Sequence, residues 1–193
     1  AFKFYDDTYT TRLLDIEWTM GRTGVLTPVA IFEPVDIDGS TVERASLHNI
    51  SVMAGIFSPL GPHKYQEIEV FKANMIIPQI ASANKEGLYE ENKILIPREC
   101  PVCGGMTQHW AENDSVVLVC IDSGCPGKLI NRLDHFCGKK GLDMKGISKA
   151  TLEKLIDWGW VSKCSDIFDL ATHDKEWVQK PGFGVKSVEK VLN

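Results

Sequence analysis

Four cysteines, Cys100, Cys103, Cys120 and Cys125, form a C-x-x-C, loop, C-x-x-x-x-C pattern. Thiolates so spaced can close a tetrahedral zinc ion, because each pair sits on a tight turn rich in Pro and Gly that lets two sulfurs converge. The turns read Cys100-Pro-Val-Cys103-Gly-Gly and Cys120-Ile-Asp-Ser-Gly-Cys125-Pro-Gly. Structural disulfides and a thioredoxin-like redox pair are the rival chemistries. The first calls for an oxidising compartment, for which the chain shows no apolar signal segment; the second calls for a surrounding βαβ pattern, which is missing. Cys137 and Cys164 are spare thiols in apolar helical settings, where packing is the expected role rather than a fifth ligand.

A second chemistry lies near the C-terminus. Leu142-Asp-Met-Lys-Gly146-Ile-Ser148-Lys149 is a Gly-containing turn that feeds a helix start, with Ser148 placed as an N-cap and Lys145 and Lys149 beside it. Lys180-Pro-Gly182-Phe-Gly184-Val-Lys186-Ser repeats the layout, Gly182 and Gly184 flanking Phe183. A Gly turn lets backbone N–H groups approach an anion, and the helix behind it adds its positive end, so such a corner suits a phosphate. One copy would read as an ordinary connection in which Gly merely permits the bend. Two copies with lysines at matching places favour phosphate, held through backbone and therefore without reading sequence.

Three kinds of element must position these residues. From Thr11 to about Ile96 the signals are short and β-like: Leu13–Met20, Val25–Phe32, Glu67–Phe71 and Met75–Ala81, with one helix expected over Leu47–Ile56. Strands, a helix and more strands in so short a span imply a small barrel such as an OB-fold. Pro78 inside an apolar run demotes its strand to an edge or a bulge. The cysteine knot follows over 97–127, with Ser115–Val119 as one arm of a hairpin. Beyond Lys128 the period becomes helical: Leu129, Ile130, Leu133, Phe136 and Cys137 share one face, Leu152, Leu155 and Ile156 another, and Val185, Val188, Val191 and Leu192 a third.

Composition is that of a soluble globular protein, and no run of about 18 apolar residues offers a membrane span. The net charge of -5 over 193 residues hides a split. Residues 1–127 carry 9 Lys+Arg against 17 Asp+Glu, whereas 128–193 carry 12 against 9, so the basic part is the C-terminal third. The sequence opens at Ala1-Phe-Lys3-Phe without Met and stops inside an apolar-periodic stretch, which reads as a piece of a longer protein.

Taken together, barrel, four-cysteine module and paired turns resemble the NAD-dependent DNA ligases of bacteria, and the turns look like helix-hairpin-helix repeats. The strings that carry the likeness run along nearly the whole chain: Ala1-Phe-Lys3-Phe, Gly21-Arg22-Thr-Gly24-Val-Leu-Thr-Pro-Val-Ala30, Arg44-Ala-Ser-Leu-His-Asn49, Ile77-Pro-Gln79, Cys100-Pro-Val-Cys103-Gly and Gly182-Phe-Gly184-Val-Lys186-Ser187. The resemblance implies a multidomain α+β chain: 1–5 the tail of an adenylation domain, 6–96 an OB-fold barrel, 97–127 a four-Cys zinc finger, and 128–193 a truncated all-α helix-hairpin-helix domain. Lys3 matches a lysine of the family's last adenylation motif, a point charge beside the phosphoryl centre. Arg22 and Arg44 match positions where the barrel meets duplex DNA, with Thr23 and Ser46 as secondary donors. Gly146, Gly182, Gly184 and Lys186 are the expected phosphate contacts of the repeats. An exposed arginine can equally pair with a local carboxylate, which is the plainer reading of Arg22. His48 and Asn49 are read as caps of the following helix.

The family chemistry passes AMP from NAD, through an enzyme lysine, to the 5′-phosphate of a nick, which the 3′-hydroxyl then attacks during replication and repair. NAD and magnesium serve the upstream adenylation domain; zinc is structural here and locks barrel to repeats. The chain contains no K-x-D-G motif, so ligation by the fragment alone is not expected. The implied partner is nicked double-stranded DNA, with a monomeric state, no membrane, and a bacterial cytoplasmic, nucleoid-associated location. Two departures from the family are Asn74-Met75, where a Gly and an acidic residue are usual, and Ser148, where a second hairpin Gly is common. The alternatives are a non-catalytic DNA-binding scaffold of a repair or recombination factor, and a zinc module joining two protein-interaction domains.

Overall fold

The computed structural model describes residues 7–192. Two compact units divide them, one comprising 7–20 with 25–122 and the other 21–24 with 123–192. Seven antiparallel strands build the first: β1 (Tyr9–Met20), β2 (Val25–Ile37), β3 (Ser40–Ser46), β4 (Glu67–Ala73), β5 (Ile77–Ala83), β6 (Thr107–Glu112) and β7 (Ser115–Cys120). They form one sheet in the order β5-β4-β1-β2-β7-β6, with β3 also paired to β2.

Long strands that change partner along their length curl this sheet. β1 pairs with β4 through Tyr9–Arg12 and with β2 from Leu13 onward, and the register slips between Leu13 and Asp15 where it switches. In β2, Leu26, Pro28, Ala30 and Phe32 alternate inward, as a half-buried strand requires. The ladder from β2 to β3 breaks between Ile31 and Val35, around Pro34, which has no N–H to give. Lys72 Nζ on β4 donates to the Ile37 carbonyl at 2.6 Å, tying the curl across its open side. Leu13, Phe32, Ile37, Leu47, Phe57, Ile68 and Val70 fill the interior. This is the antiparallel OB-type sheet that the strand pattern predicts.

Helix α1 (Ile50–Phe57) lies between β3 and β4. It starts three residues later than its apolar run, because Asn49 caps it by accepting the Val52 N–H at 2.9 Å. His48, at φ 60, lies outside the helix and donates its N–H to the Ser46 hydroxyl. The strand expected from Met75 starts at Ile77 instead. Asn74 and Met75 take φ 53 and 62, and the tight β4–β5 turn that they make excludes both from the ladder. Pro78 falls on β5, at the sheet edge. The β6–β7 hairpin between the cysteine pairs is not a separate layer, since β7 pairs with β2 through Val25–Val119 and Leu26–Leu118.

The second unit contains α2 (Pro126–Cys137), α3 (Lys149–Asp157), a 3-10 stretch over Cys164–His173, α4 (Asp174–Trp177) and α5 (Val185–Leu192), and no strand among its described residues. The three apolar stripes meet there: Leu133, Cys137, Leu152, Leu155, Val188 and Val191 are buried together around Trp177. Val185, expected on the α5 stripe, is exposed at the start of its helix. No helix among the described residues is long and apolar enough to cross a membrane.

Candidate metal centre and nucleic-acid interface

The sheet supplies two corners of the metal centre. Cys100 and Cys103 occupy the turn before β6, closed by Gly104 N–H to the Cys100 carbonyl and Cys100 N–H to the Gly105 carbonyl. Cys120 ends β7, and Cys125 immediately precedes α2, whose first residue is Pro126. The four sulfurs lie within 4.8 Å of one another. Cys103 Sγ and Cys120 Sγ are 3.6 Å apart, far beyond a disulfide bond and close to the ~3.8 Å edge of a zinc–thiolate tetrahedron. All six cysteines are unbridged.

Backbone amides donate to the sulfurs of Cys100 and Cys103, while burial pushes the Cys120 thiol up. Val102 N–H donates to Cys100 Sγ at 3.4 Å and Gly105 N–H to Cys103 Sγ at 3.3 Å. Burial pushes the Cys100 thiol up, but donation from Cys103, Val102 and the neighbouring thiols outweighs it and holds the group below the usual thiol range. The donor set therefore fits a four-thiolate zinc ion. Cys137 differs in kind: burial, with Cys164 and Asp134 nearby, pushes it up to about 11 and leaves it an inert thiol of the helical core.

Both Gly corners lie at the surface. Gly146 and Gly182 are exposed with φ 88 and 85, a backbone open to Gly and strained for other residues, while Gly184 is exposed with nothing within 4 Å of a Cβ position. Behind the first corner Ser148 caps α3, its hydroxyl accepting the Thr151 N–H at 3.2 Å. Behind the second, Gly184 N–H donates to Ser187 Oγ at 2.8 Å at the start of α5. Lys186 is exposed on the first turn of α5 and makes no ion pair among the described residues.

The corners are also built from each other's helices, which the sequence does not reveal. A Cβ at Gly182 would stand 3.5 Å from Lys154 Nζ of α3, and that ammonium lies 5.1 Å from the Phe183 ring centre. A Cβ at Gly146 would stand 3.2 Å from Val191 and 3.5 Å from Lys190, both of α5. The helix after the first turn thus supports the second turn, and the helix after the second supports the first. Lys154 and Lys190 join the cations of the region on this ground.

Arg22 is exposed at the β1–β2 turn, which groups with the second unit, and makes no ion pair among the described residues. Gly24 N–H closes the turn onto the Gly21 carbonyl at 3.1 Å, and Gly24 takes φ 88 where a Cβ would collide with the Lys128 side chain. The plainer reading, an arginine spent on a local carboxylate, applies to Arg44: its guanidinium reaches from β3 to Glu17 on β1. Hydrogen bonding to Arg44 holds the Glu17 carboxyl below its ordinary value. One feature missed by the sequence reading is the tip of the β4–β5 turn, where Met75 and Ile76 are 80% and 77% exposed beside exposed Ile77. Lys3 lies outside the described residues.

Residues 10–92 match the family described as the NAD-dependent DNA ligase OB-fold domain. Along its whole length the chain is 44% identical to a protein named DNA ligase from Ruminiclostridium cellulolyticum, the alignment covering 100% of this chain and 28% of that protein. A DNA ligase from Lachnoclostridium phytofermentans is 42% identical with coverage of 100% and 28%, and one from Thermosipho africanus is 38% identical with the same coverage. The chain spans little more than a quarter of the length of these curated relatives.

Proposed function

We propose, on the premise that the chain belongs to the NAD-dependent DNA ligases and carries their OB-fold domain, that it is the DNA-gripping part of an enzyme sealing nicks in duplex DNA. The observation that carries this reading is the pair of exposed, positive-φ Gly corners, each opening a helix and each supported by a lysine-bearing helix of the other. Their amides can meet phosphate oxygens closely, and Lys154, Lys186 and Lys190 supply charge. Contacts of this kind position a duplex without selecting a sequence.

The strand unit and its β1–β2 turn add three groups. Arg22 offers its guanidinium to a phosphate near the nick, and the apolar Met75–Ile77 tip has the chemistry of a wedge for the minor groove. Arg44 contributes once it leaves Glu17. Zinc supplies no reaction chemistry; bound by Cys100, Cys103, Cys120 and Cys125, it would fix the two cysteine turns, whose small loops lack the core to do so themselves. Adenylation with NAD and magnesium, and Lys3 at its edge, belong to the domain upstream, so this chain binds the substrate without sealing it.

The test is binding of the 193-residue chain to fluorescent nicked duplexes of unrelated sequence. Equal affinity across sequences, weakening steeply with salt, is expected. Absence of binding at low salt would leave the chain a zinc-containing protein-interaction module. Rejoining it to its upstream sequence should restore sealing with NAD.

A further inference from the structure

A polar cleft of about 240 Å³ opens on the first unit, lined by none of the groups used so far. Its floor is the segment His63–Gln66, and its wall is the run from Asn84 to Asn92. Buried polar side chains knit the two together. Gln66, 2% exposed, accepts the His63 N–H through Oε1 at 2.9 Å and donates from Nε2 to the Asn84 carbonyl at 2.7 Å. His63, 3% exposed, bonds through Nδ1 to the Gly61 carbonyl at 3.0 Å, and Lys64 N–H donates to the Asn92 carbonyl at 2.7 Å.

This frame forces Tyr65 outward. Its φ is 65, a costly conformation for a bulky residue, fixed by donation of its N–H to the Leu13 carbonyl at 2.6 Å. Tyr65, 62% exposed, and Tyr89, 64% exposed, both line the cleft. Arg12 and Lys64 line the same cleft and make no ion pair among the described residues, although Glu67 and Glu86 lie there too. Two presented aromatic rings with adjacent cations are what an unpaired base and its phosphate require, and a fully paired duplex offers no base face to either ring.

We infer that this cleft binds a nucleotide of single-stranded DNA, the base stacking on Tyr65 or Tyr89 and the phosphate meeting Arg12 or Lys64. The carboxylates of Glu67 and Glu86 can accept from base amino groups, and they keep the site from being a general anion trap. The choice of ligand rests on the DNA-binding reading above, yet the two can fail separately. A strand that has frayed or been displaced beside a break would be held here.

The experiment measures binding of a short fluorescent oligothymidylate and of a nicked duplex without flaps to the 193-residue chain and to the double variant Tyr65→Asn/Tyr89→Ala. Asn tolerates the φ of position 65, so the frame should survive, and the thermal midpoint checks that. The expected result is a loss of about tenfold or more for the oligothymidylate, nicked-duplex affinity kept within about twofold, and near-parent binding in Tyr65→Phe/Tyr89→Phe. Unchanged oligothymidylate binding in the double variant, or none in the parent, overturns the inference while duplex binding stands. Equal loss for both DNAs overturns it by moving the tyrosines to the duplex interface. Displacement of the oligothymidylate by AMP at matched nucleotide concentration would also overturn it, assigning the cleft to a free mononucleotide.

Discussion

Two arginines, Arg22 and Arg44, show how a single ion pair separates residues that look equivalent in sequence. Arg22 is open to solvent, whereas Arg44 is bound to Glu17, with both side chains about half exposed. A pair so exposed adds little to stability, but it holds Arg44 away from any phosphate. Glu17→Gln should therefore tighten nicked-duplex binding several-fold at low salt, measured by anisotropy, whereas a purely structural pair would leave affinity unchanged and lower the melting midpoint. The Gly corners allow a similar separation. Gly182→Ala at φ 85 and Gly39→Ala at φ 73 incur comparable backbone strain, and neither Cβ meets a clash. Only the first should weaken DNA binding, by about tenfold, because only there does a methyl group stand where a phosphate would approach.

Among the elements, the strands with a clean two-residue period were legible, and those without it were not. β2 alternates Leu26, Pro28, Ala30 and Phe32 and stands where the sequence puts it, running on to Ile37. β3, Ser-Thr-Val-Glu-Arg-Ala-Ser, buries only Val42 and Ala45, three residues apart, and gives no alternating signal; its pairing with β2 makes it a strand. The 3-10 stretch over Cys164–His173 was invisible for a related reason, since its two buried residues, Ile167 and Leu170, are too few to mark a period. The four clustered cysteines were readable because their spacing is local. Lys154 and Lys190 were not, because each serves the turn of the other copy, and reciprocal packing appears only when the repeat is folded. Metal removal tests the cysteine element directly. One zinc per chain is expected by elemental analysis, lost on Cys103→Ser and kept on Cys137→Ser, with chelation loosening the β6–β7 hairpin in hydrogen exchange. Retention of zinc by Cys103→Ser would remove that residue from the ligand set.

At the scale of the molecule, net charge of -5 and DNA binding are compatible only if attraction is local. Residues 1–127 are strongly acidic and residues 128–193 carry an excess of cations, so under the proposed function the barrel would bind through a few placed groups and 128–193 would supply the encounter. Two kinds of contact then coexist, and salt distinguishes them. A side-chain cation on a phosphate releases a counterion and steepens the dependence of affinity on salt; a backbone amide on a phosphate brings no charge. Arg22→Ala should lower affinity and flatten the log–log salt plot by about one unit, whereas Gly182→Ala should lower affinity with the slope unchanged. Parallel shifts with no change of slope for both variants would place Arg22 in the fold of its turn instead of on the DNA. If the proposed function holds, then in the chain rejoined to its upstream sequence the same Arg22→Ala change should slow sealing more than formation of the enzyme–AMP adduct, a step that on that proposal needs no grip on the nick; equal loss in both assays would move Arg22 to a folding role.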